Sequence, residues 1–181
     1  MHVRLQGLSI YLLLIFCILI IPVSSNQCYG CDLWDLALEY RDNGKYEEAI
    51  STFEEALFWA EKDSQETSEA KSAVWTEIGD TYRYNLKDYG QAIVAYKKAA
   101  QLVMNDGNKW NDLGQAQLLY ALEVEDSLPK KPTVNKYEQL AELFGDAINS
   151  MNLAKLNGKS VSEIDDAIDK QQYYRDLAKE S

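Results

Sequence analysis

The sequence predicts an all-α protein built from antiparallel helix pairs, and three observations carry that prediction. After Cys31 the apolar residues recur at three- and four-residue steps, the period of an amphipathic helix. Runs of β-branched residues and hairpin turns between alternating segments are absent. The order of large and small side chains in one stretch also returns in a later one, as in repeat architectures.

Breakers divide the chain at Asn43-Gly44, Asp63-Ser64, Asn105-Asp106-Gly107, Pro129 to Pro132 and Asn157-Gly158. The segments between them predict helices over 31–42, 46–62, 65–85, 88–104, 108–125, 134–156 and 161–179. The sixth ends before Gly158, a residue able to adopt positive φ. Ser160-x-x-Glu163 reads as a capping box opening the seventh. In that last helix Val161, Ile164, Ile168 and Leu177 form the expected inner stripe beneath a charged outer face, and Tyr173-Tyr174 offers further packing.

Residues 1–25 read as an export signal. Arg4 is the charge of a short start, an apolar run follows from Leu8 to Ile21, Pro22 breaks it, and Val23-Ser24-Ser25 suits cleavage after Ser25. The run of 14 residues is shorter than the roughly 20 of a membrane-crossing helix. The expectation is a secreted or otherwise extracytoplasmic protein, with anchoring through residues 8–23 as the alternative. Residues 26–32 then form a short cysteine-containing segment. In an exported chain Cys28 and Cys31 are expected to form a small-loop disulfide. A redox dithiol lacks the strand–helix scaffold it needs, and a metal site lacks two further soft ligands.

The whole chain holds 29 acidic and 18 basic residues, and His2 is its one histidine. Loss of residues 1–25 removes His2 and Arg4, leaving 17 basic groups, a charge of −12 and no imidazole. Ser-His-Asp and Cys-His catalysis and His-ligated zinc or haem are thereby excluded from the mature chain. The negative charge also disfavours nucleic acid and anionic lipid. The acidic pairs Glu47-Glu48, Glu54-Glu55 and Asp165-Asp166 lie on expected helix exteriors and read as solubilising charge. No calcium-loop pattern accompanies them. No cofactor and no metal are expected.

Leu33-x2-Leu36-Ala37-x2-Tyr40 is followed by Ala49-x3-Phe53-x2-Ala56, and Trp75-x2-Ile78-Gly79-x2-Tyr82 by Ala92-x3-Tyr96-x2-Ala99. Trp110-x2-Leu113-Gly114 begins a third copy, continued by Leu140-x3-Phe144-x2-Ala147. This order resembles the tetratricopeptide repeat, a helix–turn–helix unit of about 34 residues. The match is full over 33–56 and 75–99 and degenerate in the third copy. The resemblance implies a TPR-like α-solenoid: repeats over 33–157 (33–62, 65–104 and 108–157, with an inserted loop at 127–134) and a capping helix over 160–181. The small residues Ala37, Gly79 and Gly114 would let paired helices approach closely.

Departures from the family pattern are specific. Leu33 and Trp75 are 42 residues apart and Trp75 and Trp110 are 35 apart, so the first unit implies longer helices. The interval from Tyr82 to Ala92 is one residue longer than that from Tyr40 to Ala49, which implies a looser turn in the second. Neither unit ends in the family's proline; Glu61 and Met104 stand near that position.

In this family the first helix of each repeat builds an inner, concave face. Carried onto this sequence, that face comprises Trp34, Leu38 and Arg41, then Thr76, Asp80 and Arg83, then Asn111, Gln115 and Leu118. Aromatic, Arg and amide side chains suit a peptide segment or partner protein. Each also has a structural reading: Trp34 as cover for the end of the core, and Arg41 and Arg83 as partners of the adjacent Asp42 and Asp80. Repeats that grip acidic chaperone C-termini use Lys and Asn where this chain has Leu38, Asp80 and Gln115, so that activity is not implied. The expected function is a non-catalytic interaction or scaffold module. A thiol–disulfide or metal-handling role for Cys28 and Cys31, or self-association into a homo-oligomer, stand as alternatives.

Overall fold

A computed structural model describes residues 29–62 and 67–180. The expected leader and the Cys28–Cys31 pairing lie outside the described residues. Among the described residues there are seven helices and no strand: α1 Tyr29–Asp42, α2 Tyr46–Lys62, α3 Ser68–Asp80, α4 Tyr89–Leu102, α5 Gly107–Asp126, α6 Val134–Leu156 and α7 Ile164–Glu180. None of the described helices is long and apolar enough to cross a membrane.

Helix starts follow from residues that accept the unpaired N–H groups of a first turn. The Thr67 hydroxyl accepts from the Ala70 N–H at 3.1 Å, Asp88 from Gln91 at 2.9 Å and Asp106 from Asn108 at 2.8 Å. The sixth helix stops ahead of Gly158, whose φ of +83° is open to glycine at little cost. The seventh starts later than the capping box implies. Ala167 donates to the Glu163 carbonyl at 3.3 Å, so Glu163 rather than Ser160 stands at the threshold.

The helices pack chiefly on their sequence neighbours, giving the layered helix pairs of an all-α, TPR-like solenoid. Three apolar clusters line the stack. The first joins α1, α2 and α3 through Ala37, Ile50, Phe53, Leu57, Val74 and Ile78; the second lies around Tyr96 and Leu113; the third lies around Leu140 and Phe144. The expected glycines Gly79 and Gly114 sit where a neighbouring side chain takes the space a Cβ would need. A Cβ at Gly79 would stand 2.7 Å from the Tyr96 ring, and one at Gly114 would stand 2.8 Å from Met151 Cγ. The α2–α3 contact is the slightest between consecutive helices.

Two expectations need correction. The extra residue between Tyr82 and Ala92 does not loosen the turn. It is absorbed as a π-helical segment, Thr81–Leu86, which continues α3 and closes on Lys87 in the left-handed region at φ +57°. A π turn accommodates one added residue without ending the helix. In α7 Ile164 and Leu177 face the core as expected, joined by Ala167 and Tyr174, while Ile168 is 45% exposed. Tyr174 stacks on Phe144 at 6.0 Å and Tyr137 at 6.2 Å, which docks the cap, whereas Tyr173 remains exposed.

Candidate functional site

The wall expected to face a partner belongs to α1, α3 and α5. Its first three positions contribute differently from one another. Trp34 and Leu38 lie against the first apolar cluster, and the Trp34 ring meets Phe53 edge-on at 5.6 Å. Arg41 turns across to the next repeat, where its guanidinium pairs with Glu77 rather than with the adjacent Asp42.

On α3, Thr76 donates to the Ser72 carbonyl at 2.8 Å and accepts from the Lys109 ammonium at 2.9 Å. Asp80 accepts from the Tyr96 hydroxyl at 2.5 Å. Burial and that carboxylate push the Tyr96 pKa far above the usual phenol range. Arg83 is buried and donates to the Gln115 amide oxygen at 2.6 Å; its Nε has no hydrogen-bond partner. On α5, Asn111 is buried, Gln115 receives Arg83, and Leu118 packs into the third cluster.

The wall is therefore laced from within. Arg41–Glu77 ties α1 to α3, Lys109–Thr76 and Arg83–Gln115 tie α3 to α5, and Glu125 ties α5 to α7. Glu125 accepts from Lys170 at 2.6 and 2.7 Å and from the Tyr174 hydroxyl at 2.5 Å. Bonds of this kind hold successive first helices to one another. Sequence reasoning missed Glu77, Lys109, Asp112 and Glu125. A signal was present for two of them. An acid recurs two residues after the first large residue of each unit, as Asp35, Glu77 and Asp112.

The lacing breaks its own pattern once. Strict repetition of Arg41–Glu77 would bring Arg83 to Asp112. Arg83 instead reaches Gln115, three residues further along α5, from within the π segment. The wider π turn displaces its side chain by about one helical turn along the neighbour. Asp112 is left half-buried near Asp80, and its pKa is pushed up to about 6, by burial first and by Asp80 second; Lys109, Arg83 and Lys159 oppose the rise. A half-buried acid with a raised pKa among the polar groups of α3 and α5 marks this junction as the electrostatically loaded part of the wall. No group of three or more potential metal-ligating side chains occurs among the described residues.

The arrangement defines a helical-repeat protein whose polar wall joins successive units. Residues 33–63 and 72–102 each match the family model of the tetratricopeptide repeat. Among solved structures, the chain is similar to the first tetratricopeptide-repeat domain of Spaghetti (RPAP3) bound to the HSP90 peptide SRMEEVD. The identity is 18%, over 70% of this chain and 90% of that one, with a TM-score of 0.42. No curated protein matches the chain.

Proposed function

We propose that this protein is an exported, non-catalytic module that binds a peptide segment or partner protein along the wall of α1, α3 and α5. The observation that carries this reading is the pair of tandem tetratricopeptide repeats at 33–63 and 72–102, a framework whose stacked first helices form an extended binding surface. The α5–α6 pair serves as a third, degenerate repeat. Gly114 lies against Met151 there as Gly79 lies against Tyr96 in the second. Thr76, Asp80 and Gln115 are partly exposed and offer a partner the hydrogen-bonding capacity that their bonds within the wall leave over, with Trp34, Leu38 and Leu118 supplying apolar edges. Arg41 and Arg83 act first as positioning residues, because the Arg41 guanidinium is ion-paired to Glu77 and Arg83 is buried.

The test is capture of partners from the compartment the protein occupies, with the wild type and with a Thr76→Ala, Gln115→Ala variant of equal helicity. Loss of at least tenfold in recovered partner is expected. Equal recovery by both forms would place the binding surface elsewhere. Export is tested separately: residues 1–25 fused to a reporter should deliver it outside the cytoplasm in cleaved form, and a retained cytoplasmic reporter overturns that part.

A further inference from the structure

Arg83 is bonded below its capacity. It is 8% exposed, its Nη2 donates to the Gln115 amide oxygen at 2.6 Å, and its Nε is enclosed with no partner. Nε and Nη2 form one edge of the guanidinium, whose parallel N–H groups match the two oxygens of a carboxylate. An amide has a single oxygen, so Gln115 fills half of that edge.

The carboxylate that would fill all of it is Asp112. It precedes Gln115 by three residues on α5, the spacing of adjacent positions on one helix face. Asp112 is half-buried and makes no hydrogen bond or ion pair among the described residues. Strict repetition of Arg41–Glu77 also assigns it to Arg83. The charged and titratable groups around Asp112 are Asp80 on α3, Arg83 in the π segment, Tyr96 on α4, Lys109 on α5 and Lys159 beyond α6. Tyr96 donates to Asp80, Lys109 donates to Thr76, and Lys159 is exposed. Among these groups Arg83 is the one with an enclosed, unused donor.

A neutral Asp112 gives Arg83 little reason to leave the amide. An ionised Asp112 does, because it adds a Coulomb attraction that Gln115 lacks and occupies both N–H groups of the edge. The Tyr84 ring lies 4.7 Å from Arg83 Cζ, and a ring face supports the guanidinium plane whichever acceptor its edge meets.

We infer that Arg83 is a pH-operated latch on the wall, holding the Gln115 amide oxygen while Asp112 is neutral and transferring to the Asp112 carboxylate once that ionises, which frees the Gln115 oxygen to accept a backbone N–H of a bound peptide. This regulation rests on the reading of the wall as the binding surface, whereas the transfer of Arg83 does not. With Arg83 on Gln115, Asp112 is raised from the ordinary 3.8 to about 6. Capture of Arg83 favours the carboxylate, so the transition falls between those values and binding is gained as pH rises through it.

The experiment is a pH titration of the isotope-labelled full chain by NMR, without a partner. The Asp112 carboxyl carbon, the Arg83 Nε–H and the Gln115 side-chain amide should shift with one common midpoint between 3.8 and about 6. Asp112→Asn should abolish the other two shifts. The binding arm uses a peptide enriched from a random display library on the full chain at pH 7.5 and weakened at least tenfold by Thr76→Ala. Its affinity for the wild type should fall at least fivefold between pH 7.5 and pH 4.5. Asp112→Asn should bind it at pH 7.5 as weakly as the wild type does in acid, and change less than twofold between the two. Separate midpoints for Arg83 and Asp112, shifts that survive Asp112→Asn, or an equal acid loss in that variant would each overturn the latch. A selection that yields no peptide sensitive to Thr76→Ala overturns the wall reading and the regulation with it, while the resonances alone still decide the transfer.

Discussion

Replacing Gly79 by alanine reverses the usual sign of a glycine-to-alanine change in a helix. In an open helix interior that change stabilises by about 0.8–1.0 kcal/mol. At Gly79 the added methyl would lie 2.7 Å from Cδ1 and Cε1 of Tyr96 and 3.0 Å from its Cζ, about 1 Å inside ordinary carbon–carbon contact. The ring has little freedom to yield, because Tyr96 is fully buried and its hydroxyl holds Asp80 at 2.5 Å. Overpacking of this kind costs up to about 3 kcal/mol. Subtracting the helix gain leaves a net loss of about 2 kcal/mol, equivalent to a melting temperature lower by roughly 4–8 °C in a chain of this size. Urea and thermal unfolding followed by circular dichroism would read it. Gly90→Ala, whose nearest new neighbour is Asp88 Oδ1 at 3.5 Å, is the matched control and should not destabilise. Tyr96→Leu introduced with Gly79→Ala should recover part of the loss beyond additivity. A Gly79→Ala variant as stable as the wild type would refute the close-approach argument.

Asp112 gives a pH prediction. Its pKa is raised in the folded state to about 6, so its contribution to stability is present below its ordinary value and lost as pH rises through about 6. With about 1.36 kcal/mol per pH unit of displacement, ionised Asp112 costs at most about 3 kcal/mol at neutral pH, less what solvent screens. Asp112→Asn should therefore be more stable than the wild type at pH 7.5, with the two curves converging near pH 4; parallel curves would count against the assignment. For the Arg41–Glu77 pair, whose side chains are 23% and 26% exposed, a double-mutant cycle should return a coupling of about 1 kcal/mol or less. No coupling at low salt would remove the pair from the lacing. Tyr174→Phe keeps the stack on Phe144 but loses the bond to Glu125, and should cost about 1 kcal/mol. Tyr174→Ala should cost about 3–5 kcal/mol and hasten amide hydrogen exchange throughout α7; unchanged exchange would show that the cap is held by other contacts.

The fold was legible because its signals are local and repeated. The helix bounds at Asp42, Tyr46, Lys62, Val134 and Leu156 follow from periodicity and breakers, and Gly79 and Gly114 declare close approaches by their place in the repeat. The start of α7 was less legible, since Ser160-x-x-Glu163 satisfies a capping pattern that the chain does not use. The wall was legible by position only. Repeat alignment places Arg41, Thr76, Asp80, Arg83 and Gln115 on first helices, yet which side chain reaches which depends on the angle between neighbouring helices. That is why Arg41 was matched to Asp42 and Arg83 to Asp80 in sequence, whereas Glu77 and Gln115 receive them in space.

By itself the sequence determined the helical class, the two repeats and the absence of histidine chemistry after residue 25, all of which depend on residue identity and short-range spacing. Tertiary structure alone decided two further features. One extra residue became a π turn, and Arg83 passes Asp112 to reach Gln115. Asp112 was left as a half-buried acid near Asp80. Both depend on distances between residues some thirty positions apart, which local propensity does not encode and which only the packed helices set.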